Sequence, residues 1–153
     1  MAKLYFKFGA MGSSKSAQAL MTKFNYEEKN KNVFLMKPAT DDRGDEVDEF
    51  GNVTAEVRSR IGLKAPAVTV SDNDNIIDMY LERDKKQKVD VIICDECQFL
   101  TEVQIEQMKD IADMYDVPVL CFGLRADFRT RLFPGSKRLF EIADSITEIK
   151  SIC

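Results

Sequence analysis

Residues 4–28, LYFKFGAMGSSKSAQALMTKFNYEE, are the most informative segment about the fold because they place a glycine-containing loop between two regular elements. Residues 4–8 alternate in polarity and are rich in aromatic side chains, which predicts a strand. Lys15–Glu28 has apolar residues at helical spacing. Strand, loop and helix in that order are the context of a phosphate-binding loop, whose usual pattern is G-x-x-x-x-G-K-[S/T].

The loop at residues 9–16 is predicted to hold the phosphates of ATP. Successive backbone N–H groups and a helix N-terminus attract anions. Lys15 would reach the outer phosphates, and the Ser16 hydroxyl would bind Mg²⁺. Ser14 stands where the pattern has its second glycine, at a position where the backbone usually needs freedom. The alternative is a turn that merely starts a helix. The predicted ATP-binding residues of the loop are Gly9, Ala10, Met11, Gly12, Ser13, Ser14, Lys15 and Ser16.

Further strands and helices alternate along the chain. Strands are predicted at 32–36, 67–70, 89–94, 118–122 and 145–150. Helices are predicted at 101–115 and 134–143, and a third is capped by Ser71 or Asp72 and runs to residue 84. A weak helix is predicted near 54–60, and a charged surface loop at 39–52. This order predicts an α/β fold of the P-loop (RecA-like) type, with a parallel sheet covered by helices on both faces. Residues 1–150 would form this core.

A second motif follows the apolar run at 89–94, where the sequence continues as DECQF, residues 95–99. P-loop enzymes hold their metal with an acid that ends a central strand, at the carboxyl edge of the sheet. Asp95 is therefore predicted to contact Mg²⁺ through water, and Glu96 to take a proton from an attacking hydroxyl or water. The alternative is an acid pair that caps a helix. Cys94 and Cys97 spell C-x-x-C, and we interpret both as small apolar residues of the interior.

Composition narrows the chemistry and the surroundings. The chain has 22 basic and 26 acidic residues and a net charge of −4, which argues against general affinity for nucleic acid. No apolar run is long enough to span a membrane, and the start of the chain lacks a signal-peptide core, so a cytoplasmic protein is expected. There is no histidine, so a general base must be Asp, Glu, Lys, Tyr or Cys.

With both motifs in place, the chain resembles the thymidine kinases of the type found in human cytosol and most bacteria. The resemblance covers nearly all of the 153 residues. Besides the phosphate loop with Met11, it rests on KPATDDR at 37–43, DECQF at 95–99, GLRADF at 123–128 and FPGS at 133–136, leading to IKSIC at 149–153.

The resemblance implies transfer of the γ-phosphate of ATP to the 5′-hydroxyl of thymidine with Mg²⁺, and deoxyuridine is a second candidate acceptor. Glu96 is then the general base, and Ser16 and Asp95 serve the metal. Arg43 matches a family arginine that reaches toward phosphate. The ATP site would also include the four residues that follow the apolar run at 89–94: Asp95, Glu96, Cys97 and Gln98. The nucleoside would be surrounded by Met11, Phe99, Leu124, Phe128 and Phe133.

The resemblance also describes features beyond the core. Family members continue past the position of Cys153 with further cysteines that complete a structural zinc site, and with a lasso-like loop that closes over the base. Residues 151–153 would begin that subdomain, the sequence is expected to be truncated, and Cys153 would bind zinc only if the chain continues, because one cysteine cannot build a four-ligand site. A homotetramer, inhibition by the end-product triphosphate and a role in thymidine salvage for DNA synthesis are likewise implied.

Two other functions compete with the kinase. In a P-loop ATPase or GTPase, Glu96 would activate water instead of a hydroxyl. A guanine-reading Asn-Lys-x-Asp motif is absent, since Asn30-Lys31-Asn32 lacks the acid, and the apolar cluster at Phe99 and 124–133 favours a nucleoside acceptor. The other alternative is a non-catalytic nucleotide-binding module, which Ser14 and the missing lid would suggest.

Overall fold

The protein is described by a computed structural model that covers residues 1–10, 14–40, 45–47, 49–51, 53–127 and 130–150. In chain order its elements are β1 (Leu4–Gly9), α1 (Lys15–Glu28), β2 (Val33–Pro38), β3 (Glu46–Val47), β4 (Val53–Thr54), β5 (Glu56–Arg58), β6 (Lys64–Pro66), β7 (Val68–Val70), α2 (Ile76–Lys86), β8 (Val91–Cys94), a 3-10 turn (Cys97–Phe99), α3 (Glu102–Tyr115), β9 (Val119–Leu124), α4 (Pro134–Ile142) and β10 (Ser145–Ile149).

Within these residues, six strands form a parallel sheet in the order β10-β1-β9-β8-β2-β7. Alternate side chains of each strand face opposite layers. In β8, Ile92 and Cys94 pack in the layer that includes residues of α2, α3 and α4, whereas Val91 and Ile93 pack in the layer that includes α1 and the hairpin β5–β6. The predicted parallel α/β sheet with helices on both faces is therefore confirmed.

The sheet is held together by burial on both faces. Every residue of β8 is buried, which explains why this strand reads as a continuous apolar run and not as an alternating one. Full burial of one isoleucine side chain contributes roughly 2 kcal/mol, so β8 is a stable base for the loop that follows it. Among the described residues, each helix is too short or too polar to cross a bilayer.

Capping residues set where several helices begin. Thr101 starts α3 as predicted, because its hydroxyl accepts the N–H of Gln104 and the Gln104 side chain accepts the N–H of Thr101, both at 3.1 Å. The prediction for α2 was wrong: Asn75, and not Ser71 or Asp72, accepts the N–H of Asp78 at 3.1 Å and caps the helix.

The segment between β2 and β7 differs most from the sequence prediction. A helix near 54–60 is wrong, because the chain there forms β4 and β5. Val57 of β5 pairs with Ala65 of β6 and both are buried, so a two-residue period and not a helical one places the apolar side chains. Gly62 closes the hairpin with φ +92°, a conformation that favours glycine. The loop predicted at 39–52 contains β3, which pairs antiparallel with β4.

The carboxyl ends of the central strands meet at one edge. Gly9 at the end of β1 is the register partner of Leu124 at the end of β9, and Met36 of β2 is the partner of Cys94 of β8. The segments that follow these strands therefore leave the sheet side by side. Crevices at the carboxyl edge are where open α/β sheets bind ligands.

Candidate active site

The start of α1 forms one side of the site. Ser14 is the residue before α1, with φ −87° and ψ 34°, and its carbonyl accepts the N–H of Gln18 at 2.9 Å. A negative φ is open to any residue, so Ser14 fits here without the freedom of glycine. Met11, Gly12 and Ser13 lie outside the described residues.

Ser16 connects the phosphate-loop helix to the second motif. Its hydroxyl donates to Oδ2 of Asp95 at 2.6 Å, across 79 positions of sequence. Lys15, the first residue of α1, is buried, and its charge acts on the same aspartate. The two motifs that the sequence places at one sheet edge thus share a direct hydrogen bond.

Asp95 is buried with only part of its hydrogen-bonding capacity used. The residue is 2% exposed, and its Oδ1 has no partner among the described residues. Burial, followed by the charge of Glu96, raises the pKa of Asp95 to about 6, although the Ser16 hydroxyl, a backbone N–H and Lys15 act in the opposite direction.

These residues fit a magnesium ion. Mg²⁺ binds oxygen ligands and is usually held by one or two carboxylates together with substrate phosphates. Asp95 presents a buried carboxylate oxygen without a partner in the described part of the chain, and Ser16 presents a hydroxyl beside it. A cation here would offset the cost of a buried negative charge.

Glu96 follows in an unusual backbone conformation. Its φ of 54° and ψ of 37° lie in the left-handed region, which costs a residue with a side chain about 1 kcal/mol or more. The residue is 3% exposed, and its Oε2 accepts from Nε2 of Gln98 at 2.5 Å. This turn takes the chain out of β8 and keeps the carboxylate at the sheet edge, next to Asp95.

The predicted nucleoside side is formed by aromatic and apolar residues. The rings of Phe99 and Phe133 meet edge to face, with centroids 5.5 Å apart, and Phe99 is 42% exposed. Leu124 ends β9 and donates its N–H to Oε1 of Gln98 at 3.1 Å. Such a half-open aromatic surface suits a flat ring. Phe128, Arg43 and Cys153 lie outside the described residues.

Two contributors to this edge were missed by sequence reasoning. The hydroxyl of Ser136, in the first turn of α4, donates to the carbonyl of Leu124. Gly123 lies so close to the 3-10 turn that a Cβ there would be 2.7 Å from Oε1 of Gln98 and 2.7 Å from Sγ of Cys97. Both residues lie inside motifs that the sequence singled out, but their contacts join segments distant in sequence.

The cysteines near the site belong to the interior. Cys94, Cys97 and Cys121 are free and buried, and burial raises the pKa of the Cys94 and Cys97 thiols. A thiol held in its neutral form is a poor nucleophile and a poor metal ligand. The described residues contain no group of three or more His, Cys, Asp or Glu that would hold a metal ion.

Comparison with known proteins agrees with the motifs. A family model described as thymidine kinase matches residues 2–153. Thymidine kinase from Shewanella oneidensis is 40% identical over 153 residues, which is 100% of this chain and 76% of that protein. Thymidine kinase from Haemophilus influenzae is 41% identical, with 100% and 75% covered. Thymidine kinase from Escherichia coli strain K12 is 39% identical, with 100% and 71% covered.

A solved structure supports the fold independently. The crystal structure of Pif1 helicase from Candida albicans superimposes with a TM-score of 0.52 at 14% identity, covering 99% of this chain and 36% of that chain. At such low identity the likeness concerns the α/β fold and not the activity.

Proposed function

The chain belongs to the thymidine kinase family, and from that premise we propose that its carboxyl-edge site transfers the γ-phosphate of ATP to the 5′-hydroxyl of thymidine. The observation that carries the proposal is the hydrogen bond between Ser16 and Asp95, with Glu96 adjacent. It joins the phosphate-loop helix to Asp95, and the residue after Asp95 supplies the second carboxylate that such a reaction needs.

The donor side holds ATP. The loop at 9–16 and the N-terminus of α1 would cradle the phosphates, and Lys15 would lie against their outer oxygens. Asp95 and Ser16 would hold Mg²⁺, which neutralises charge on the triphosphate when bound. Arg43 would add a further cation, as the resemblance implies. Phosphoryl transfer depends on positioning and on charge neutralisation, and these residues supply both.

The acceptor side activates the hydroxyl. Glu96 would accept the proton of the 5′-hydroxyl as the oxygen attacks the γ-phosphorus. The bond between the γ-phosphorus and the β–γ bridging oxygen breaks, and ADP leaves with that electron pair. The products are thymidine monophosphate and ADP, with the proton on Glu96. Phe99 and Phe133 would pack against the nucleoside.

The kinase is favoured over the other functions. A motor or switch ATPase would need only water as its acceptor, whereas the family match covers residues 2–153 and all three relatives named above are thymidine kinases. The negative φ of Ser14 removes one reason to expect a non-catalytic binding module.

Incubation of the protein with γ-labelled ATP and Mg²⁺ tests the proposal, with thymidine, deoxyuridine, the other nucleosides or water as acceptors. Label on thymidine is the expected result. Free phosphate released at the same rate without any nucleoside would favour an ATPase, and ATP binding without turnover would favour a binding module.

Several properties that the resemblance implies are proposed with the activity. They are a homotetrameric assembly, a place in thymidine salvage in the cytoplasm, inhibition by thymidine triphosphate, and zinc binding through Cys153 on the condition that the chain continues. Light scattering of the purified protein tests the assembly, metal analysis tests the zinc, and the kinase assay with added thymidine triphosphate tests the inhibition.

A further inference from the structure

Gln98 has an amide group engaged on both sides. The side chain is 0% exposed. Its Nε2 donates to Oε2 of Glu96 at 2.5 Å, and its Oε1 accepts the backbone N–H of Leu124 at 3.1 Å. One planar group therefore ties the carboxylate at the end of β8 to the backbone at the end of β9.

The surroundings of Gln98 hold its amide in this orientation. Gly123 leaves the space that the amide oxygen occupies, because a Cβ at residue 123 would be 2.7 Å from Oε1. The Ser136 hydroxyl donates to the carbonyl of Leu124, so the residue whose N–H bonds to Gln98 is itself held by α4. A buried amide with both sides bonded has little freedom to turn, since any other orientation leaves polar atoms unpaired.

We propose that Gln98 is a positioning residue for phosphoryl transfer. Its amide N–H fixes the plane of the Glu96 carboxylate relative to the end of β9, where Leu124 borders the proposed nucleoside site. This inference rests on the proposed function. The resemblance suggests that Gln98 contacts ATP directly. In this proposal Gln98 instead acts through Glu96.

Orientation of the base matters in this reaction. A proton can move from the 5′-hydroxyl to Glu96 only within hydrogen-bond reach, and a displacement of about 1 Å at a catalytic group can cost about a hundredfold in rate. The Glu96 carboxylate is buried, and the Gln98 amide donates to one of its two oxygens. Gln98 therefore supports the base without touching either substrate.

A second buried glutamine offers a matched control. Gln104 is 2% exposed, and its Nε2 donates to the carbonyls of Ser71 and Asp74 at 2.8 and 3.1 Å. It anchors the start of α3 and contacts neither Glu96 nor Leu124 in the described structure. Replacing it by methionine removes a buried amide of the same size at a place away from the reaction.

The test measures kcat and the KM for ATP and for thymidine in the wild type, Gln98→Met, Gln98→Glu and Gln104→Met. For Gln98→Met we expect kcat to fall about tenfold to a hundredfold, with both KM values within about threefold. Gln98→Glu keeps an acceptor for the Leu124 N–H but loses the amide donor and sets a second buried carboxyl against Glu96, where the two compete for one proton, so we expect a similar fall. Gln104→Met should lose stability in urea while kcat stays within about twofold.

A double-mutant cycle separates positioning from a general structural role. In a Glu96→Ala background the Gln98→Met change should leave the residual kcat unaltered, because the group that it orients is gone. Gly123→Ala changes no polar group but displaces Gln98, and should lower kcat in the same direction. This variant serves as the test if Gln98→Met fails to fold.

Three outcomes would overturn the inference. They are a wild-type kcat in Gln98→Glu, a raised KM for ATP with kcat unchanged in Gln98→Met, and an equal further loss when Gln98→Met is added to Glu96→Ala. A wild-type protein that does not label thymidine would instead refute the proposed function, before any variant is compared.

Discussion

Carboxylates lie at both edges of the central sheet, but in opposite surroundings. At the amino edge, Asp144 accepts the N–H of Leu4 and Asp90 accepts that of Asn32, each at 2.8 Å, and both aspartates stay partly exposed. At the carboxyl edge, Asp95 and Glu96 are almost fully buried, and one oxygen of Asp95 has no partner within the described residues. The same kind of side chain completes strand ends at one edge and lines the proposed reaction site at the other.

The two edges also shift pKa values in opposite directions. The hydrogen bond from Lys109, followed by that from the Leu4 N–H, lowers the pKa of Asp144. Burial raises the pKa of Asp95 to about 6. The charge of Asp144 therefore stabilises the fold, whereas the charge of Asp95 destabilises it, a cost that the proposed Mg²⁺ would offset. A protein keeps such a cost where function requires it.

The largest expected effect is at the carboxyl edge. Glu96→Gln preserves size and the contact with Gln98 but cannot accept a proton, so thymidine phosphorylation should fall by about 10² to 10⁴-fold. The variant should still bind ATP, as measured by titration calorimetry. Asp90→Asn at the amino edge is the matched carboxylate-to-amide control and should keep nearly full activity. Near-normal turnover of Glu96→Gln would remove Glu96 from its role.

A second effect is the pH dependence of stability in the metal-free protein. The unfolded Asp95 ionises near its ordinary value of 3.8, whereas the folded one stays protonated up to about 6. Between these values the unfolded state loses its proton first, so stability falls as the pH rises. The full loss above pH 6 is roughly 3 kcal/mol, at about 1.4 kcal/mol per pH unit.

Urea unfolding with a chelator, at pH values from about 4 to 7, measures this effect. Asp95→Asn should become increasingly more stable than the wild type as the pH rises, because asparagine carries no charge to bury. Addition of Mg²⁺ should reduce this difference in unfolding free energy near pH 7. Parallel stability curves for the two proteins would show that the Asp95 carboxylate bears no such cost.

At the amino edge a comparable change should affect stability alone. Asp144→Ala leaves the N–H of the fully buried Leu4 without its acceptor, which should cost about 1–3 kcal/mol in unfolding free energy. Because the folded pKa of Asp144 is lowered, its contribution is present above the unfolded pKa and is lost as pH falls through the folded value. Asp144→Asn should recover part of the stability at neutral pH, and both variants should keep normal kcat. A kcat loss in either variant would contradict the separation of the two edges.

The smallest expected effect concerns the backbone. Glu96 and Asp116 both have left-handed φ values, 54° and 56°, at opposite edges. Asp116→Gly relieves this conformation at the end of α3 and should raise the free energy of unfolding by up to about 1 kcal/mol. Loss of the hydrogen bond that Asp116 accepts from the Ala2 N–H reduces this gain. Thermal unfolding measures the gain. Glu96→Gly relieves the same conformation but removes the acceptor of the buried Gln98 amide, so we expect a smaller gain than for Asp116→Gly and almost no phosphoryl transfer. An Asp116→Gly protein that unfolds at a lower temperature than the wild type would contradict the expected relief.

Much of this fold was readable from local patterns. The phosphate-loop strand and helix, the buried run of β8 and the capped start of α3 follow from hydrophobic period and capping chemistry, which act within a few residues. The hairpin β5–β6 was not readable, because its short strands become stable only by packing Val57 and Ala65 against α1 and the sheet. The cap at Asn75 was missed because Ser71, Asp72 and Asn75 are all good capping residues.

The amino-acid order was sufficient to place Lys15, Ser16, Asp95 and Glu96 at one edge, since parallel strands bring their carboxyl ends together and the motifs follow those ends. It was also sufficient to identify the family. The folded chain alone determined that Ser16 bonds to Asp95, that one Asp95 oxygen is left without a partner in the described region, and that Gln98 joins Glu96 to Leu124. These contacts depend on the register of β8 against β9, which sets the hydrogen-bond geometry, and on the depth of burial, which sets the local dielectric. Neither the register nor the burial is encoded in a single stretch of sequence.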